Sequence, residues 1–174
     1  MNNFPKIDYS WTLFLDRDGV LNKKIEGDYV KSVNELEILP NVLQSLAFLS
    51  KCFHKIIIVT NQQGIGKQLM TENDLNDIHQ HLINLITTTG GRIDGIYFAP
   101  QLESENALMR KPNIGMALTA QKEHPSIDFQ KSIMVGDSIS DMIFAEKSQM
   151  FGVFIGHSGD HFSINSLHEL RKYI

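Results

Sequence analysis

Three short stretches of this chain are hydrophobic or β-branched with no alternation: Trp11-Thr12-Leu13-Phe14-Leu15, Ile56-Ile57-Ile58-Val59 and Ile133-Met134-Val135. A strand with one wet face alternates apolar and polar side chains, so unbroken runs predict strands covered on both faces, as in a parallel sheet between two helical layers. The intervening segments supply the helices. Val42, Leu43, Leu46, Leu49 and Phe53 recur at helical spacing after Pro40, a residue suited to a first turn. Leu75, Ile78, Leu82 and Leu85 do the same behind Thr71, a candidate N-cap, and Gly90-Gly91 closes that run. Further strands are expected over 93–99 and 151–155, further helices from Ile114 and Leu118, around Asp141, and over 166–173. These elements predict a three-layer Rossmann-like α/β sandwich with a mostly parallel sheet.

In such a sheet ligands bind beyond the carboxyl ends of the strands. Each unalternating run ends in polar side chains: Asp16-Arg17-Asp18-Gly19, then Thr60-Asn61, then Gly136-Asp137 with Asp141 four residues on. All three ends should face one crevice. Asp16 and Asp18 at a buried strand's end repel each other unless a cation sits between them or one keeps its proton, which points to a metal. Arg110 and Lys111 add positive charge. The set suits phosphoryl transfer: Asp16, Asp137 and a backbone carbonyl near Asp18 can hold Mg²⁺, while Lys111 and Thr60 position phosphoryl oxygens. Uncatalysed monoester hydrolysis is so slow that a covalent route through a carboxylate is sensible.

From Phe14 to about Ile155 the sequence resembles the haloacid dehalogenase-like phosphatases, with all four motifs in order: Asp16-Arg17-Asp18-Gly19-Val20, a run ending in Thr60, Lys111, and Gly136-Asp137 with Asp141. Val59-Thr60-Asn61-Gln62, Arg110-Lys111-Pro112 and Gly115-Met116 look most like its capless branch, which holds heptose-bisphosphate and histidinol-phosphate phosphatases, the heptose enzymes being the nearer match. The resemblance implies Asp16 as nucleophile and Asp18 as acid then base. It implies Mg²⁺ on Asp16, Asp18 and Asp137, and substrate contacts from Glu26, Tyr29, Thr60, Asn61, Arg110 and Lys111. Asp141 is expected in an outer shell. Two departures stand out. Residues 97–109 contain no cysteine or histidine where that branch often carries a zinc loop, so no structural zinc is expected, and Ser138 stands where related heptose enzymes tend to have lysine.

The 174 residues suit one domain without a cap, leaving an open site. Twenty acidic against sixteen basic residues give a net charge of -4 with no basic run, which disfavours nucleic acid as a partner and a polynucleotide 3'-phosphatase reading with it. A non-catalytic phosphometabolite-binding protein is the remaining alternative, and retention of both Asp16 and Asp18 argues against it. Cys52 is the single cysteine, so no internal disulfide forms. No apolar stretch approaches ~20 residues and the Met1 to Lys6 start lacks a signal peptide's core, so a cytoplasmic monomer acting on a small phosphorylated molecule is expected. Gln63-Gly64-Ile65-Gly66-Lys67 lacks the phosphate-loop spacing and reads as a turn. His157, Asp160 and His161 read as a polar loop, and His79 and His81 as exposed helix positions.

Overall fold

The unalternating runs become adjacent strands in a computed structural model that describes residues 4–174. Met1 to Asn3, part of the start read above for a signal peptide, lie outside the described residues. The elements run β1 (Thr12–Leu15), α1 (Val42–Leu49), β2 (Lys55–Asn61), α2 (Glu72–Thr88), β3 (Gly95–Ala99), α3 (Gly115–Glu123), β4 (Ser132–Gly136), α4 (Ile139–Lys147), β5 (Phe151–Ile155) and β6 (Phe162–Ile164). The sheet order is β3-β2-β1-β4-β5-β6 and every pairing is parallel. The chain therefore winds outward from β1 on one side, then crosses back to β4 on the other. That reversal puts the ends of β1, β2 and β4 side by side, the position where doubly wound sheets form their crevice.

Alternate residues of the central strands serve two cores. Leu13, Leu15, Ile56, Ile58, Ile133 and Val135 meet Val42, Leu46 and Leu49 of α1 and Leu82 and Ile86 of α2. Phe14, Ile57, Val59 and Met134 meet Met116, Ala117 and Ala120 of α3 and Phe144 and Ala145 of α4. Both faces being covered is what removes the alternation from the sequence.

Several local expectations shift. Pro40 precedes α1 rather than opening it, because Asn41 takes the left-handed conformation at φ 62° and interrupts the helical run. That helix stops at Leu49, and Phe53 reaches the core through the following turn. Thr71 caps α2 with a reciprocal box, its hydroxyl accepting from the Asp74 backbone while the Asp74 carboxylate accepts from the Thr71 N–H. In α3 the buried side is Met116, Ala117 and Ala120, and Leu118 is exposed: the small residues allow the closer approach to the sheet. The closing segment is a 3₁₀ helix over Leu167–Lys172, with Leu167 and Leu170 buried at the three-residue period of that helix. Strand β6 was not expected. It is three residues long and becomes a strand only by pairing with β5.

Candidate active site

Asp16 follows β1 directly, its backbone N–H donating to the Val135 carbonyl 2.9 Å away in β4. Lys111 reaches it from the loop before α3. The Lys111 ammonium is buried and lies 2.9 Å from Asp16 Oδ1, 2.7 Å from Asp141 Oδ1 and 2.7 Å from the Val59 carbonyl oxygen. The contact with Asp141 is an ion pair whose angles fall outside a hydrogen bond, since Asp141 Oδ1 accepts none. Asn61, at the end of β2, fixes the loop: its Nδ2 donates to the Lys111 carbonyl and its Oδ1 accepts from the Lys111 N–H, each at 3.0 Å. A side chain read as a substrate contact thus first clamps the lysine's backbone.

Oxygens of Asp16, Asp137 and Asp141 all lie within 4.8 Å of one another. Ser138 caps α4, accepting from the Asp141 N–H, and the Asp141 carboxylate accepts from the Ser138 hydroxyl at 2.6 Å. Two glycines let the cluster close. Gly19 sits at φ +86°, and a methyl group there would overlap the Asp137 carboxylate; one at Gly136 would overlap the Asp141 side chain. Lys24 Nζ is 2.9 Å from Asp137 Oδ2, while Asp137 Oδ1 is buried with no partner. Three carboxylates thus face two ammonium groups, one positive charge short of balance.

The shortfall registers in acidity. Burial, only partly offset by Lys111, pushes the Asp16 carboxyl up to about 7, and Asp141 and Asp18 add to the rise. Burial also raises Asp137, against the opposing pull of Lys24. For Lys111, burial would lower the ammonium, but Asp141 and Asp16 outweigh it and hold it above its ordinary value. A hard all-oxygen donor set with an unpartnered buried carboxylate oxygen fits a small divalent cation such as Mg²⁺.

The Asp18 carboxylate turns the other way. Oδ1 accepts from Arg17 Nη2 and Asn22 Nδ2, and Oδ2 from Arg17 Nη2 and Gln62 Nε2, all at 2.9 Å. Burial alone would raise this acid, but the Arg17 guanidinium and these donors hold it below the usual carboxylate range. Gln62 also donates to Thr60 Oγ1 at 2.8 Å, so Thr60 is buried beneath Asp18 within the same network. The pocket over the acids, about 210 Å³, is lined by Asp16, Asp18, Lys24, Asp28, Tyr29 and Asn61, with Arg110, Lys111, Asp137, Ser138 and Asp141 opposite. Glu26, expected as a substrate contact, is exposed and outside this lining, although Asp28 and Tyr29 of the same loop are inside it; Lys24, which carries no motif signal, is inside it too.

Two histidine expectations change. His79 is buried and its Nε2 is 3.2 Å from Arg17 Nη1, because α2 turns this position toward β3 and the end of β1; His81 is half-buried. His157, Asp160 and His161 join no ion-sized group of ligand side chains among the described residues. Gln63 to Lys67 form turns.

A parallel α/β sheet that gathers four acids and a buried lysine beyond its strand ends defines the haloacid dehalogenase-like phosphatase class. The chain belongs to that class, in the family described as polynucleotide kinase 3 phosphatase, which matches residues 11–161. It is 41% identical over 137 residues to D-glycero-alpha-D-manno-heptose-1,7-bisphosphate 7-phosphatase of Mycobacterium bovis, covering 79% of this chain and 72% of that one. It is 36% identical over 132 residues to the D-glycero-beta-D-manno-heptose-1,7-bisphosphate 7-phosphatase of Helicobacter pylori strain 26695, covering 75% of each. Among solved structures, the D,D-heptose 1,7-bisphosphate phosphatase of B. bronchiseptica complexed with magnesium and phosphate is 26% identical, with a TM-score of 0.85 over 93% of this chain and 96% of that one.

Proposed function

We propose that this chain is a Mg²⁺-dependent phosphatase that removes the 7-phosphate of a heptose 1,7-bisphosphate through an aspartyl phosphate on Asp16. The observation that carries the reading is the cluster of Asp16, Asp137 and Asp141 around Lys111, one positive charge short, beneath a pocket that also presents Lys24 and Arg110. Names carried by relatives from several bacteria supply the sugar. In the first step an Asp16 oxygen bonds to phosphorus as the ester P–O bond breaks, and Asp18 passes a proton to the departing sugar oxygen; because Arg17 holds this carboxylate ionised in the free site, Asp18 must first take that proton up from solvent as the phosphorylated substrate binds. In the second, Asp18 takes a proton from the water that attacks phosphorus, the Asp16–phosphorus bond breaks, and inorganic phosphate leaves. Lys111 orients the Asp16 carboxylate and offsets phosphoryl charge, with Thr60 and Asn61 below and Arg110 and Tyr29 at the sugar side. Mg²⁺ on Asp16, Asp137 and the Asp18 carbonyl, with Asp141 behind, would supply the missing positive charge. The same proposal holds residues 1–174 to be one cytoplasmic, monomeric domain. No helix among the described residues is long and apolar enough to cross a membrane.

Phosphate release with Mg²⁺ from heptose 1,7-bisphosphate, histidinol phosphate and a 3'-phosphorylated oligonucleotide tests the substrate. The heptose is expected to be turned over fastest. Preference for either other compound overturns the sugar assignment, and release from none overturns the phosphatase reading.

The acidity of Asp16 predicts a pH effect on the metal. A carboxyl titrating at about 7 must lose its proton to ligate, so Mg²⁺ affinity should fall as pH drops through about 7, with proton release visible as a buffer-dependent binding enthalpy in calorimetry. The sign for stability follows from the same shift. Between the ordinary value of 3.8 and about 7 the folded state holds more protons than the unfolded one, so the Asp16 contribution to stability declines as pH rises through that window. Urea unfolding of wild type and Asp16→Asn across pH should show a steeper decline in the wild type, the part left in the variant coming from the raised Asp137, and a pH-independent difference between them would refute it.

A further inference from the structure

We propose that His79 is a positioning residue for Asp18, acting through Arg17: its imidazole fixes the guanidinium, and the guanidinium fixes the carboxylate. This rests on the role given to Asp18 above. Arg17 is fully buried, has only donors, and spends them at named places: Nη2 lies 2.9 Å from both Asp18 oxygens and Nη1 is 3.2 Å from His79 Nε2. Because arginine cannot accept, Nε2 must be the acceptor and the ring proton sits on Nδ1. Burial, reinforced by the Arg17 charge, pushes the imidazole down to about 3, so it stays a neutral acceptor. Arg17 Nε already lacks a partner. Loss of His79 would orphan a further donor on the same buried cation and free it to rotate. Asp18 takes two of its four contacts from that guanidinium, so its carboxylate would move with it. The ring is itself held on α2, edge-on to Phe98 of β3 with centroids 6.4 Å apart. The restraint therefore spans 62 residues of sequence and couples the acid to a rigid helix.

The alternative is a histidine that merely fills space. Three substitutions separate the two: His79→Gln places an amide oxygen near the position of Nε2, His79→Asn carries the same chemistry one methylene short, and His79→Leu removes the acceptor. In phosphate release from heptose 1,7-bisphosphate, measured well below each variant's Tm, His79→Gln should keep kcat within about threefold of wild type, while His79→Asn and His79→Leu lose about tenfold or more with KM little changed. If His79→Leu fails to fold, the Gln and Asn pair decides. Equal kcat in Gln and Asn variants overturns the proposal. Asp18→Asn is run beside them: if it turns over normally, the role of Asp18 itself falls, whereas an inactive Asp18→Asn with a fully active His79→Asn removes only the inference. Crystal structures give an answer independent of turnover. Arg17 should stay on Asp18 in the Gln variant and leave it in the Asn variant, and unchanged Arg17 and Asp18 in both would overturn it.

Discussion

Asp16→Asn should lower phosphate release by roughly 10⁴-fold or more while leaving the fold intact. The amide has nearly the shape of the carboxylate but is no nucleophile, so the loss is of bond formation rather than of structure. The surroundings support that separation. Asp16 is buried against Asp141 and Asp18, which both oppose its ionisation, and Lys111 keeps its contacts with Asp141 and the Val59 carbonyl when Asp16 is neutralised. The variant is therefore expected to melt at or above the wild-type temperature at neutral pH when Mg²⁺ is withheld. Circular dichroism melts beside the release assay check both halves, and turnover near the wild-type rate would eliminate covalent chemistry at this position.

The second large effect is on stability as well as rate. Lys111→Met removes the ammonium that lies within hydrogen-bonding range of Asp16 and 2.7 Å from fully buried Asp141. Breaking a buried ion pair by deleting one partner leaves uncompensated charge and costs about 3–5 kcal/mol, more than exchange of the whole pair for apolar groups would. Part of that cost is relieved if a carboxyl takes up a proton, so the loss should be smaller at pH 5 than at pH 8. Mg²⁺ should restore some of the Tm by supplying positive charge to the same acids. Turnover should fall at least about 10²-fold, since the group that offsets phosphoryl charge is gone. Denaturant melts at the two pH values, with and without Mg²⁺, give the answer. A variant as stable as wild type at both would mean that Lys111 does not balance this cluster.

Asp16, Thr60 and Asp137 were legible because each ends a run whose lack of alternation marks a doubly covered strand, and parallel strands put their ends together. The parallel sheet followed from the same runs and the helices between them, whereas its order, β3-β2-β1-β4-β5-β6, rests on which strands pair and is not written in any one run. What stayed hidden depends on contacts that cross the fold. His79 lies beside Ile78 on a helix whose apolar stripe is otherwise complete, and nothing near it in sequence announces Arg17, 62 residues earlier. Arg17 carries a charge that composition assigns to the surface, yet its burial is what aims Asp18. Asn61 was readable as a polar strand end, whereas its two-point grip on Lys111 needs the loop before α3 to return to β2. Gly19 reads as a turn residue, and only its distance to Asp137 shows that the turn also makes room for an acid from β4. Lys24 entered the pocket without any motif because a flexible cation in a polar loop has no pattern to reveal it.

The most direct test of the central claim is a rapid acid quench of the enzyme during turnover of heptose 1,7-bisphosphate with Mg²⁺, followed by peptide mass spectrometry. The account predicts one phosphoryl group on the peptide bearing Asp16, formed no slower than phosphate is released, and none on that peptide in Asp16→Asn. Normal turnover with no phosphorylated peptide, or with the label on a different side chain, would contradict it.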